Sequence, residues 1–93
     1  MIEIMRFQLH PDCDEAAFLI ADKKVQEEFA YAQPGLQRRT TARGRDGNWI
    51  VIDLWRSAAD ADACDGRWET DPIAQHFMSF VDHVSVERYD QLS

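Results

Sequence analysis

Three side chains of this chain pair a titratable or charged group with neighbours suited to a reactive ligand: His76, Asp53 and Arg6. His76 stands among Trp68, Phe77 and Phe80. A histidine in such surroundings could take a proton from a phenol or hydroquinone, leaving an electron-rich anion that reacts directly with oxygen. The plain alternative is a helix histidine that faces solvent or bonds a backbone carbonyl. Asp53 is the only charged residue between Asn48 and Trp55. It reads either as acceptor for a substrate hydroxyl or as half of an ion pair with Arg6, should two central strands present both on one face. A paired buried charge costs far less than a lone one. In a pocket, Arg6 could equally hold an anionic substrate or stabilise an oxyanion. Trp49, Trp55 and Trp68 supply flat apolar area for an aromatic ligand, or else serve as core or interface.

Other chemistries lack their signatures. The chain has no phosphate loop, dinucleotide fingerprint, nucleophile elbow or zinc spacing. His10, Asp12 and Cys13 fall at a strand-to-helix junction, where turn and cap explain them better than metal ligation. Cys13 and Cys64 are two lone thiols without Cys-x-x-Cys spacing, and they read as reduced cysteines of a cytoplasmic protein. The alternating run Ile2–Leu9 contains Glu3 and Arg6, unlike the apolar core of a secretory signal. No apolar stretch approaches the length of a membrane span. A net charge of −7 repels nucleic-acid backbones and anionic membranes. Within that acidic average, Arg38, Arg39, Arg43 and Arg45 form a local basic band. Its simplest reading is a solvated strand and hairpin rim paired with acidic neighbours, and its alternative is a dock for an anionic ligand.

The elements that must position these residues follow from periodicity. Ile2–Leu9 alternates as a strand. Asp12 followed by Glu15 resembles a capping box, and Phe18, Ala21, Val25, Phe29 and Ala32 then draw a helical stripe. Gln33-Pro34-Gly35 stops that helix. Leu36–Arg43 reads as a strand, Gly44-Arg45-Asp46-Gly47 as a hairpin turn, and Trp49–Arg56 as the next strand. Ser57-Ala58-Ala59-Asp60 caps a second helix, which should weaken at Gly66. Asp71-Pro72 restarts it, and His83–Tyr89 is the last strand.

Strands and helices in the order β-α-β-β-α-β have a natural solution in 93 residues: one α+β domain, the ferredoxin-like sandwich of a four-stranded antiparallel sheet with both helices on one face. Right-handed crossovers put the first and third strands in the centre. Both are apolar on two faces. In the third, Trp49, Val51, Asp53 and Trp55 alternate with Ile50, Ile52 and Leu54, so helices can cover one face and the other needs a second subunit or a ligand. Burying about 600 Å² of apolar surface per subunit would contribute on the order of 15 kcal/mol gross, before association costs.

Gln33-Pro34-Gly35-Leu36 after the first helix, Trp55-Arg56-Ser57 closing the third strand, and Trp68 and His76 in the second helical segment together resemble the antibiotic-biosynthesis-monooxygenase type of dimeric α/β barrel protein. The resemblance spans essentially the whole chain. It implies a homodimer whose sheets close face to face, with a pocket in each subunit between sheet and helices. The group includes cofactor-free oxygenases of electron-rich aromatics or quinols, heme-degrading enzymes and stress-related proteins. For this chain it implies a small aromatic or quinol-like ligand, no cofactor, His76 as base with Asp53 and Arg6, and a pocket of Trp55, Trp68, Phe77 and Phe80. A non-catalytic ligand-binding or stress-associated dimer is the alternative, and heme binding or degradation a second. In heme-degrading relatives a helix histidine ligates iron, a tryptophan packs nearby and a first-strand asparagine assists. Trp68 and His76 could fill the first two places, but the third falls at Arg6 or Met5, and neither carries an amide.

Overall fold

The computed structural model describes residues 1–93. Four strands, β1 (Ile2–Leu9), β2 (Leu36–Arg43), β3 (Asn48–Trp55) and β4 (Val81–Tyr89), form one antiparallel sheet in the order β2-β3-β1-β4. Helices α1 (Glu15–Lys24), α2 (Ala58–Trp68) and α3 (Pro72–Met78) complete the ferredoxin-like sandwich.

The tryptophan face of β3 packs toward the helices. Phe7, Phe18, Val25, Trp49, Val51, Phe77 and Val81 make one core cluster, and Phe29, Trp55, Ala61 and Cys64 a second. Aromatic edges knit the larger cluster: the Phe18 ring meets Trp49 at 5.1 Å and Phe77 at 5.3 Å, separations at which ring quadrupoles attract. Ile50, Ile52 and Leu54 lie on the opposite face with Ile2, Ile4 and Arg6 of β1, and no element of the chain covers them.

Local sequence explains the helix ends, with several departures from expectation. Asp14, not Asp12, caps α1, its carboxylate accepting from the Ala16 amide. His10 to Cys13 are taken up by a turn closed by the Cys13 amide on the His10 carbonyl. The α1 stripe does not run uniformly to Ala32, because the helix widens to a π-helical turn at Val25–Phe29 and tightens to a 3₁₀ turn at Ala30–Ala32. Ser57 caps α2 by accepting from the Asp60 amide, and Asp71 caps α3 by accepting from Ile73 and Ala74. Contrary to expectation α2 runs through Gly66 unbroken. Its last turns are anchored from outside, by Arg67 on Gln33 and by Arg88 on Asp62 and Asp65, which offsets the cost of a mid-helix glycine. Strand β4 begins two residues early, and its pairing with β1 shifts between Arg6 and Gln8. His83, at φ 55°, absorbs that irregularity.

Candidate functional site

A cavity of about 80 Å³ lies between the sheet and the helices, at the seam of the two core clusters. Its walls are mostly apolar: Met5, Val51 and Trp55 from the sheet, Phe29 from the π-helical turn, Trp68 from the end of α2 and Phe77 from α3. Trp68 joins the walls, edge-on to Phe29 at 5.5 Å and to Phe77 at 5.7 Å.

Three charged side chains enter this apolar space, and strand register puts them side by side. Asp53 pairs with Arg39 across β3 and β2 and with Glu3 across β3 and β1, and Glu3 pairs in turn with Arg88 of β4. Directly paired residues share a face, so a row Arg39, Asp53, Glu3, Arg88 crosses the helix-facing side of the sheet. The outer arginines are committed elsewhere. Arg39, only 6% exposed, donates to Asp22 at 2.7 Å and to Gln26 at 3.2 Å, while Thr41 holds the same Asp22 oxygen at 2.9 Å. Its guanidinium lies 5.8 Å from the centre of the Phe77 ring, a cation–π distance. Arg88 donates to Glu3 at 2.8 Å as well as to Asp62 and Asp65, tying α2 to β1.

Asp53 is left without a partner. Its Oδ1 is fully buried and accepts no hydrogen bond. Burial pushes its carboxyl from the ordinary 3.8 up to about 7; Arg39 opposes that rise, and the charge of Glu3 adds to it. Burial raises Glu3 as well, against the hydrogen bond from Arg88. The Cys64 thiol is pushed up to about 12 by burial and by Asp65 and Asp53, so it stays protonated and unreactive. The cavity thus holds a carboxyl poised to exchange a proton near neutral pH, facing a cation fixed by two side chains of the helical layer.

The expected site residues separate. Asp53, Trp55, Trp68 and Phe77 converge on the cavity. Arg6 does not pair with Asp53, because it stands opposite Ile50 on the other face of the sheet, where it donates to Glu87 at 2.9 Å. His76 lies on the outer side of α3 beside Lys24 and Pro72, since Ala74 and Phe77 take the buried positions of that short helix. Phe80 meets His76 and Phe18 edge-on rather than lining the cavity. The basic band divides too. Arg43 bonds Glu15 at the surface, but Arg39 is no part of a solvated rim. Heme does not fit this arrangement: His76 faces away from the cavity, and the space is far smaller than a tetrapyrrole.

Glu3 was not expected at the site and Arg39 only as one member of the basic band, though the hairpin carries the signal for Arg39. The Gly44 amide bonds the Asn48 carbonyl, and counting outward from that closed turn brings Arg39 opposite Asp53.

No family model and no curated protein matches the chain. Solved structures do. SnoaB, a cofactor-independent oxygenase from Streptomyces nogalater, is 20% identical with a TM-score of 0.78, over 97% of this chain and 92% of that one. A protein of Nitrosomonas europaea described as a candidate antibiotic biosynthesis monooxygenase is 15% identical with a TM-score of 0.75, over 99% and 98%. A dimeric ferredoxin-like protein from an uncultured marine organism is 14% identical with a TM-score of 0.70, over 92% and 82%. What the chain shares with these proteins, along nearly its whole length, is the fold.

Proposed function

We propose that this protein is a cofactor-independent oxygenase of the antibiotic-biosynthesis-monooxygenase type, acting on a small phenolic or quinol-like aromatic held between sheet and helices. The observation that carries the reading is Asp53, an unpartnered carboxyl with a pKa of about 7 set in an aromatic cavity. The likeness in fold to SnoaB, itself a cofactor-independent oxygenase, supports it.

In this reading Asp53 is the base. Its carboxylate takes the proton of the substrate hydroxyl, and the negative charge passes from Asp53 to the substrate oxygen. Arg39 faces both ends of that transfer, so the charge moves without leaving its field. The resulting anion gives electrons to dioxygen. One oxygen atom forms a bond to ring carbon, the O–O bond breaks, and the other leaves as water: a phenol and dioxygen become a quinone and water, with every electron drawn from the substrate. Trp68 and Phe77 hold the ring, while His76 and Phe80 have no part in the chemistry.

Oxygen uptake with a panel of hydroquinones and naphthols tests the proposal. Asp53→Asn should lower kcat/KM by about 100-fold or more, His76→Ala should leave it within about twofold, and the wild-type rate should rise through pH 7 as Asp53 ionises. Full activity in Asp53→Asn would remove the assigned base. Ligand-dependent thermal stabilisation without oxygen uptake would favour the non-catalytic binder instead.

We propose further that the chain is a homodimer joined through the uncovered isoleucine face. Support comes from Ile2, Ile4, Ile50, Ile52 and Leu54 lying together on that face and from the likeness to a dimeric ferredoxin-like protein.

A further inference from the structure

Strand register sets Arg39 directly opposite Asp53 on the helix-facing side of the sheet. Opposite charges so placed on neighbouring strands ordinarily attract and pair, and a buried carboxylate gains most from doing so. Here they do not pair. Oδ1 of Asp53 is buried and accepts nothing, while the Arg39 guanidinium turns to the helical layer, where Asp22 takes it at 2.7 Å and Gln26 at 3.2 Å. Asp22 is itself a buried carboxylate, 8% exposed, and the Thr41 hydroxyl fixes it by donating to the same oxygen at 2.9 Å. The Phe77 ring of α3 adds a cation–π attraction from the helical side. The other charged groups around Asp53 cannot supply the missing partner. Glu3 of β1 and Asp65 of α2 are acidic, Cys64 of α2 is a neutral thiol, and Arg88 is taken by Glu3, Asp62 and Asp65. One cation thus stands between two carboxylates, and α1 holds it.

We propose that Asp22 is the positioning residue of this site: by holding the Arg39 guanidinium in the helical layer it withholds from Asp53 the ion pair that strand register offers, and so leaves that carboxyl open to a ligand. A buried carboxylate gripped by an arginine stays ionised well into acid and is too weak a base to act near neutrality. An unpaired one, with the cation close by but turned away, keeps that capacity. The inference rests on the proposed function only for what the open carboxyl does to its ligand.

Carbon-13 NMR of carboxyl-labelled aspartate follows Asp53 in the ligand-free full chain, with Asp53→Asn identifying its resonance. The wild-type titration midpoint is expected near pH 7. Asp22→Asn should release Arg39 to Asp53 and lower the midpoint by about 2 pH units. Loss of the Asp22 charge also lowers it by itself, so the substitution is repeated in an Arg39→Met chain, where no guanidinium is left to swing across; there the fall should be less than about half as large. Gln26→Leu, at a half-buried site, should lower the midpoint by about 1 pH unit with Asp22 in place, and it decides the matter if the Asp22 variant does not fold. A midpoint unmoved by Asp22→Asn, an equal fall in both backgrounds, or, where that variant does not fold, no change in Gln26→Leu would overturn the assignment. Under the oxygenase reading the rise of rate with pH moves down together with the NMR midpoint in Asp22→Asn. A midpoint that moves as expected in a protein that consumes no oxygen leaves the role of Asp22 standing and removes the oxygenase.

Discussion

Asp53 keeps a proton that the unfolded chain gives up. Its ordinary pKa is 3.8 and the folded value about 7, so between those values the folded chain binds more protons than the unfolded one. The stability that goes with the neutral carboxyl is complete below the ordinary value and is lost as pH rises through 7. Asp53→Asn removes the ionisation, and should raise Tm by several degrees at pH 8 while changing it little at pH 4; scanning calorimetry at the two pH values checks this. Equal shifts at both would place the cost of Asp53 in packing rather than charge. The alternation of β3 already grouped Asp53 with the tryptophans, because a strand has only two faces. His76 was harder to place. Adjacent helix residues point about 100° apart, so His76 and Phe77 compete for one inward position, and seven residues of α3 carry too short a pattern to say which of them wins.

At the scale of elements, one glycine joins the β2 strand to the α2 cap. Gly35 has φ +84°, and a Cβ there would overlap the side chain of Asp60, which is itself held by Arg56 and Ser57. Its carbonyl accepts from the Arg56 amide at 2.8 Å. Gly35→Ala should therefore cost about 2 kcal/mol, read in thermal unfolding as a Tm lower by about 10 °C. This stop was legible from Pro34-Gly35. The π-helical turn before it was not, because its widening answers to Arg39: Asp22 and Gln26, one turn apart, both bond that guanidinium, and a contact between distant segments leaves no local pattern. Helices that take one extra residue into a turn often do so at functional sites, and here the turn carries Phe29 into the cavity wall.

For the whole molecule, strand order and the two-faced centre were legible because alternation and the right-handed crossover leave few topologies. Which face the helices cover was not, since both are apolar. The helices take the tryptophan face and leave the isoleucine face uncovered, and on the proposed dimer the expected solution species is a dimer of the 10.8 kDa chain by sedimentation at micromolar concentration. Ile52→Glu, set in the middle of that face opposite Ile4, should return it to a monomer with unchanged far-ultraviolet circular dichroism. A wild-type monomer would contradict the assignment. The residues of the two faces interleave along one chain segment: Ile52 and Leu54 point to the uncovered face, Asp53 and Trp55 to the helix-covered face that holds the cavity, within four consecutive positions. In the proposed dimer a ligand and a partner subunit would thus press on opposite sides of a single layer of backbone. Any factor by which the ligand tightens that dimer is the factor by which dimerisation tightens the ligand, so with such coupling the measured affinity of the cavity would vary with protein concentration.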